Sequence, residues 1–404
     1  MFDKYIDVIL AIGLNQRPGD RLLIRGQVSE WRAVHRFAEK AYEKGAAFVD
    51  VEWEDSTVDS LAFRYGDEEL ACAWPEWRKA ITMGQMETNG CILVLRSPFL
   101  SGADDVPVEK IMRRQLSKAK AYDRFNTRVL EFGIRYCIAE LPNAAWAKKV
   151  FPDLDPDTAL EKLWAAVFHC SYADLGDPVG FWRRKQENAM RRCERLNGQE
   201  FDALHFLAPY TDLTVALPEG QIWLEGGVVC TSDGVRFLPN IPSEENGSVP
   251  LRTGVDGTVR LSRPLVYQGK LIEGATLRFE HGKVTEFDAA RGRETLSAII
   301  HADENSCYPG EVAIVPENSV IGKTGLTFFS TLYDENTSCH IALGEGFPYQ
   351  VRGMTGKSRA EQIAEGINRS SIHVDMMIGT KEMKVYGLKN GLKTLLLADG
   401  EWQI

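Results

Sequence analysis

Asp20-Arg-Leu-Leu-Ile-Arg25, introduced by the Pro18-Gly19 turn, and Ala46-Ala-Phe-Val-Asp-Val-Glu-Trp53 are short apolar runs on either side of residues 30–45. In that intervening stretch the apolar residues recur at helical spacing, so the unit reads strand, helix, strand. The pattern continues outward. Residues 68–83 read as a helix, Gly90-Cys-Ile-Leu-Val-Leu-Arg96 as a buried strand, 108–122 as a helix and Gly133-Ile-Arg-Tyr-Cys-Ile-Ala139 as a strand. Alternation of this kind requires right-handed crossovers and predicts an α/β domain, a largely parallel sheet with flanking helices. Two more helices are expected over 156–170, with Asp155 as N-cap, and over 180–196. This half carries no phosphate-binding glycine motif; Gly-Gln-Val-Ser-Glu at 26–30 is too weak an anion signal, and a scaffold is the preferred reading. His35 and His169 lie on helices without an acidic partner at ligand spacing and read as surface or core histidines.

After Asn197-Gly198 the texture changes. Short strands punctuated by glycine dominate: Ala203-Leu-His-Phe-Leu207, Asp212-Leu-Thr-Val-Ala-Leu217, Gly257-Thr-Val-Arg-Leu261, Thr276-Leu-Arg-Phe-Glu280 and Lys283-Val-Thr-Glu-Phe287. His281-Gly282 marks a hairpin between the last two, and one helix is expected over 289–302. A boundary near residue 198 follows, with residues 1–198 as the α/β domain and 199–404 as an α+β domain rich in antiparallel sheet.

The bulk numbers agree with a globular enzyme and exclude other classes. A chain of 404 residues is too long for one ordinary core, and it holds 44% hydrophobic and 26% charged residues. A net charge of -10 argues against a nucleic-acid surface. No apolar run long enough to span a membrane and no signal-peptide pattern at the start are visible. The eight cysteines include no CxxC pair, which suggests reduced thiols and a cytoplasmic location.

The candidate chemistry gathers between 307 and 379. His373-Val374-Asp375 on a strand projects an imidazole and a carboxylate to one side, although a core histidine paired with an Asp looks the same. Asp334-Glu335-Asn336 precedes His340; if a helix starts at Asn336, Glu335 sits at its N-terminus and His340 one turn in, and either acid could simply cap. Cys339 reads as a buried neighbour of His340, pointing to the opposite face. Glu311, after Pro309-Gly310, stands at the mouth of the apolar run Val312-Ala-Ile-Val-Pro316, where a buried carboxylate needs a cation or an Arg. Glu244-Glu245 lies in a loop and would be solvated if alone. Counted together, Glu245, Glu311, Glu335, His340, His373 and Asp375 exceed what one tetrahedral ion uses, and they suit two divalent ions with a bridging carboxylate. A mononuclear site of two His and one carboxylate is the competing reading.

The ordered pieces Ile138-Ala-Glu-Leu-Pro-Asn-Ala-Ala-Trp-Ala-Lys148, Asn240-Ile-Pro-Ser-Glu-Glu245, Gly310-Glu-Val-Ala-Ile-Val-Pro316, Leu332-Tyr-Asp-Glu-Asn-Thr-Ser-Cys-His-Ile-Ala-Leu-Gly344 and His373-Val-Asp-Met-Met-Ile-Gly379 resemble the thermophilic-type metalloaminopeptidase family, the aminopeptidases T and S. The resemblance implies a dinuclear metal site (Zn, Co or Mn) in the second domain, with ligands on the same six residues. It also implies a homodimer and release of N-terminal residues from short peptides or aminoacyl amides. Glu245 and Glu311 share the roles of ligand and general base, unassigned between them. The family places a catalytic Tyr seven residues after the first metal His; here that position is Phe347, with Tyr349 as a substitute and Asn336 in support. The segment Asn246-Gly-Ser also departs from the family's more apolar one. Two rivals remain at this level: a ring-cleaving Fe(II) dioxygenase using His340, His373 and Asp375, and a binding protein that kept the metals and lost turnover.

Overall fold

The structure is a computed structural model, described here for residues 1–87, 90–99, 106–224 and 227–404. The chain divides into two compact units, Met1–Glu187 with Gly226–Pro242, and Asn188–Glu225 with Ser243–Ile404. The division falls inside the long helix Pro178–Gln199 rather than after Asn197-Gly198, and it returns a later segment to the first unit.

The first unit is built on a four-stranded parallel sheet in the order Phe48–Glu54, Arg21–Gln27, Cys91–Arg96, Tyr136–Glu140. Central strands of a sheet covered on both faces must be apolar throughout, and Leu22, Leu23, Ile24, Ile92 and Leu93 are all buried. The helix Trp31–Glu43 fills the expected crossover, and Pro156–Cys170 begins at Asp155, whose carboxylate accepts from the Thr158 amide at 3.0 Å. The helix expected over 68–83 is two, Glu68–Cys72 and Glu76–Glu87. Pro75 lacks an amide hydrogen and forces the residue before it out of helical geometry, which breaks the run. Helices Ser56–Tyr65, Asp123–Leu130 and Ala144–Val150 are additions to the expected set. His169 does have an acidic partner: its Nδ1 lies 2.7 Å from Asp174, on the turn after the helix.

Residues 226–242 join the first unit through specific bonds. Ile138 N–H donates to Pro239 at 2.7 Å, Ile241 N–H to Ile138 at 3.0 Å and Leu238 N–H to Gly13 at 2.8 Å. Arg135, 4% exposed, donates to Asp233 at 2.8 Å and to Asp20 at 2.7 Å.

Among the described residues the second unit contains a two-stranded hairpin, Leu265–Tyr267 with Lys270–Ile272, and two wider antiparallel sheets. The larger has eight strands in the order Lys283–Asp288, Thr276–Glu280, Val255–Arg260, Thr211–Ala216, Ala203–Ala208, Lys384–Lys389, Leu392–Ala398, Glu401–Trp402. His281 and Gly282 take positive φ of 49° and 80°, the backbone that a two-residue hairpin turn demands. The helix expected over 289–302 is the shorter Arg293–Ile300, with Gly292 before it in left-handed geometry. The smaller sheet has four strands in the order His373–Met377, His340–Gly344, Pro309–Ile314, Asn246–Ser248. Every one of its strands carries or abuts a candidate ligand.

Candidate metal centre

Residues directly opposite each other on neighbouring strands project to the same face. In the small sheet Glu311 is paired with Ala342, and Ala342 with Asp375; His340 is paired with Ala313 and Met377, and His373 with Gly344. One face therefore presents Glu311, His340, His373 and Asp375 around a floor of Ala342, Gly344 and Ala313. Gly247, opposite Ala313, extends the floor. A Cβ on Gly247 would stand 2.7 Å from Glu311 Oε1, so glycine is what lets that carboxylate lie over the sheet.

The expected helix starting at Asn336 is not formed. Glu335–Thr337 is a single 3₁₀ turn, and His340 opens a strand instead. His340 still returns to that turn, because its Nδ1 donates to the Glu335 carbonyl at 2.9 Å. Cys339 points away and is buried, its thiol 3.6 Å from the Val315 carbonyl. Asn336, fully buried, links the pieces: its Nδ2 donates to Leu332 O at 2.9 Å, and its Oδ1 accepts from the Glu244 amide at 2.5 Å. That bond fixes the loop carrying Glu245.

Two clusters result, Glu245 with Glu311 and His340, and Glu311 with His373 and Asp375, in each of which the donor atoms lie within 4.8 Å of one another. Glu311 belongs to both. His340 Nε2 faces Glu245 Oε2 at 3.3 Å, and His373 Nε2 faces both Glu311 Oε2 and Asp375 Oδ1 at 3.2 Å. The Nδ1 of His373 donates to the Glu345 carbonyl at 2.7 Å. With both Nδ1 hydrogens committed to carbonyls, a neutral imidazole aims its Nε2 lone pair at carboxylate oxygens, a repulsive arrangement. Positive charge shared between them reverses the sign, whether a proton drawn onto the ring by the acids or a metal ion that replaces it. Two donors each roughly 2.1 Å from one ion stand about 3.0–3.4 Å apart at octahedral to tetrahedral angles, so these spacings suit a divalent ion.

The electrostatics point the same way. Burial pushes the Glu311 carboxyl above its usual range, opposed by His373 and reinforced by Glu245 and Asp375. Burial, then Asp375, Glu245 and Glu311, drive Glu335 well above it. Burial alone would raise Asp375, but His373, His340 and a hydrogen bond from Glu335 hold it down at about 2. Burial would lower His340, and the surrounding acids outweigh it to bring the ring up to about 9. Four carboxylates so placed are costly in a buried site unless positive charge joins them.

The sheet thus brings together five of the six residues expected as ligands in two clusters; Glu335 stands outside both and touches Asp375. Tyr349 is not among them. Its ring stacks on Phe347 at 5.4 Å, and it is Phe347 that packs on His373 at 4.8 Å. Sequence reading passed over the glycine and alanine floor, which only strand pairing makes visible, and it passed over Glu345. The signal available for Glu345 was its place between two glycines.

A family model described as thermophilic metalloprotease (M29) matches residues 1–402. Aminopeptidase 2 of Geobacillus stearothermophilus is 34% identical over 401 residues, covering 99% of this chain and 97% of that protein. Aminopeptidase T of Thermus thermophilus is 34% identical over 403 residues, covering 100% and 98%. A solved structure of wild-type AmpT from Thermus thermophilus is similar with a TM-score of 0.91 at 33% identity, covering 100% of this chain and 99% of that one.

Proposed function

Given that the chain belongs to the thermophilic metalloprotease family M29 and is a metal-dependent aminopeptidase, we propose that it works through two divalent ions held by Glu245, Glu311, Glu335, His340, His373 and Asp375. The observation that carries this reading is Glu311, whose carboxylate is common to both donor clusters. In it, Glu245 and His340 would hold one ion and His373 and Asp375 the other, with Glu311 available to both. Glu335, against Asp375, completes the second set.

When bound, such a pair lowers the pKa of a shared water and polarises the scissile carbonyl. The residues supply the rest. Glu245 has the more exposed side chain, 22% against 10% for Glu311 and 11% for Asp375, which favours it as the acid that takes the proton from the attacking water. Glu311, buried, keeps the ligand role. Phe347 packs its ring against that of His373, with centroids 4.8 Å apart. The substrate class is short peptides or aminoacyl amides, and Zn, Co and Mn are the candidate metals. A cytoplasmic homodimer completes the reading. Supporting the reducing compartment are eight buried free cysteines, and among the described residues no helix is long and apolar enough to cross a membrane. Sedimentation would test the dimer.

The Fe(II) dioxygenase reading has no support, since the relatives are aminopeptidases and it leaves Glu245 and Glu311 idle. A binding protein without turnover has none either. Metal counting on protein purified without chelator, together with aminoacyl-amide hydrolysis, tests the proposal. Two equivalents are expected in the parent protein. Glu311→Gln should lose both equivalents and activity together, whereas Glu245→Gln should weaken one equivalent and stay without turnover even when excess metal restores it. Near-parental hydrolysis in Glu311→Gln would reject the site assignment.

A further inference from the structure

We propose that Glu345 is a positioning residue for His373, gripping the chain around it with its amide, its carbonyl and its carboxylate together. The inference rests on the ligand role proposed above for His373. The carbonyl of Glu345 accepts the Nδ1 hydrogen of His373 at 2.7 Å, which selects the tautomer whose Nε2 faces Glu311 and Asp375. Its amide donates to the carbonyl of Ile372 at 2.6 Å. Its carboxylate reaches the residues just before: Oε1 accepts from Arg369 Nη2 at 2.6 Å and Nε at 3.0 Å, and Oε2 from the Ser370 amide at 2.6 Å and from Arg359 Nη2 at 3.3 Å. Residues 369–373 are thus held at both ends by one residue.

The surroundings leave that residue little slack. Gly344 takes a φ of +105°, and a Cβ built on Gly310 would lie 2.2 Å from the Glu345 carbonyl oxygen. The peptide bearing that oxygen is therefore wedged between the Pro309–Ile314 strand and the His373 ring. Arg369 is 5% exposed and is also hydrogen-bonded to Gln362, so the guanidinium is a fixed post rather than a solvated tail. Two nitrogens of one guanidinium on one carboxylate oxygen give a directional grip that a lysine point charge does not reproduce. By contrast the Glu335 carbonyl that orients His340 belongs to a residue whose side chain is itself a proposed ligand. The His373 ring has its orientation set by a residue outside the donor set.

The experiment is Zn²⁺ and Co²⁺ titration of the full-length protein against a chromophoric chelator, with Glu345→Gln, Arg369→Lys and His373→Ala in parallel, alongside kcat and KM on an aminoacyl amide. Glu345→Gln is expected to weaken one equivalent of metal by about 10–100-fold and leave the other at the parental value. It is expected to lower kcat at unchanged KM, with Arg369→Lys showing the same pattern more weakly. An ion pair that merely stabilises the fold would lower the unfolding midpoint and leave the folded protein's metal affinities unchanged, and that result overturns the proposal. If Glu345→Gln does not fold, the charge-free pair Glu345→Leu/Arg369→Leu is read in the same way. His373→Ala separates the two levels of the argument. If it retains both equivalents, the ligand reading fails and takes the inference with it; if it loses one while Glu345→Gln loses none, only the inference fails.

Discussion

At the scale of single residues, the candidate centre depends on what is missing as much as on what is present. Gly247, Ala313, Ala342 and Gly344 make a floor low enough for carboxylates and imidazoles to fold across it. Replacing Gly247 by Ala places a methyl 2.7 Å from Glu311 Oε1, closer than carbon and oxygen approach without displacement. The expected result is a shift of that carboxylate, a loss of turnover of about 10²-fold and a nearly unchanged melting temperature of the metal-free protein. Steady-state kinetics and calorimetry on Gly247→Ala check it, and parental turnover would show that Glu311 has room to yield. Residues of this kind are hard to read in a sequence. An imidazole or carboxylate names its chemistry at once, while the requirement for a small neighbour arises only when strand pairing sets Ala342 between Glu311 and Asp375.

At the scale of elements, the strand His373–Met377 is aimed by the segment that enters it. Asp303 accepts from Ser370 Oγ, the Ser371 amide and Ser371 Oγ at 2.8, 2.8 and 2.5 Å. Burial raises the Asp303 carboxyl, but the Ser371 and Ser370 donors outweigh it and hold it below its ordinary value. A carboxylate depressed in the folded state contributes stability that is fully present above its unfolded pKa of about 3.9 and is lost as pH falls through the folded value. Asp303→Asn should therefore be less stable than the parent from neutrality down to about pH 5, and the gap should close below about pH 4. Thermal melts of both proteins across that range measure it; a gap independent of pH would place the effect in packing instead. The elements themselves were legible to different degrees. Period-two runs bounded by glycine gave strands close to Thr276–Glu280 and Lys283–Asp288, and the i, i+2 spacing of His373 and Asp375 put both on one face. The turn at Glu335–Thr337 was not legible, because a polar Asp-Glu-Asn run fits a helix start and a strand approach equally well. The Glu345–Arg369 pair spans 24 residues and has no local signature at all.

At the scale of the whole molecule, the alternation of strands and helices in the first half and of hairpins in the second was enough to give the two classes of sheet. It did not reveal that residues 226–242 return to the first unit, since that return is set by long-range pairing rather than by composition. Arg135 is the charged anchor of the return, buried and shared by Asp20 and Asp233. Arg135→Leu leaves both acids without their cation and is expected to destabilise the first unit by about 3–5 kcal/mol. Urea unfolding followed by circular dichroism would measure this, and a loss under about 1 kcal/mol would mean that the backbone bonds to Pro239 and Ile138 suffice. The second unit holds a different kind of anchor. Its small sheet brings together strands from residues 246 to 377, and the proposed ligands lie on or beside all four of them. Were the proposed ions seated there, they would act as a rivet through the sheet and tie the stability of the unit to its metal loading. Free metal at about 100 times its dissociation constant would add about 2.7 kcal/mol to unfolding. The melting temperature of the enzyme would then read out the metal supply around it, rising with added ion and falling with chelator even in a variant that no longer cleaves peptides.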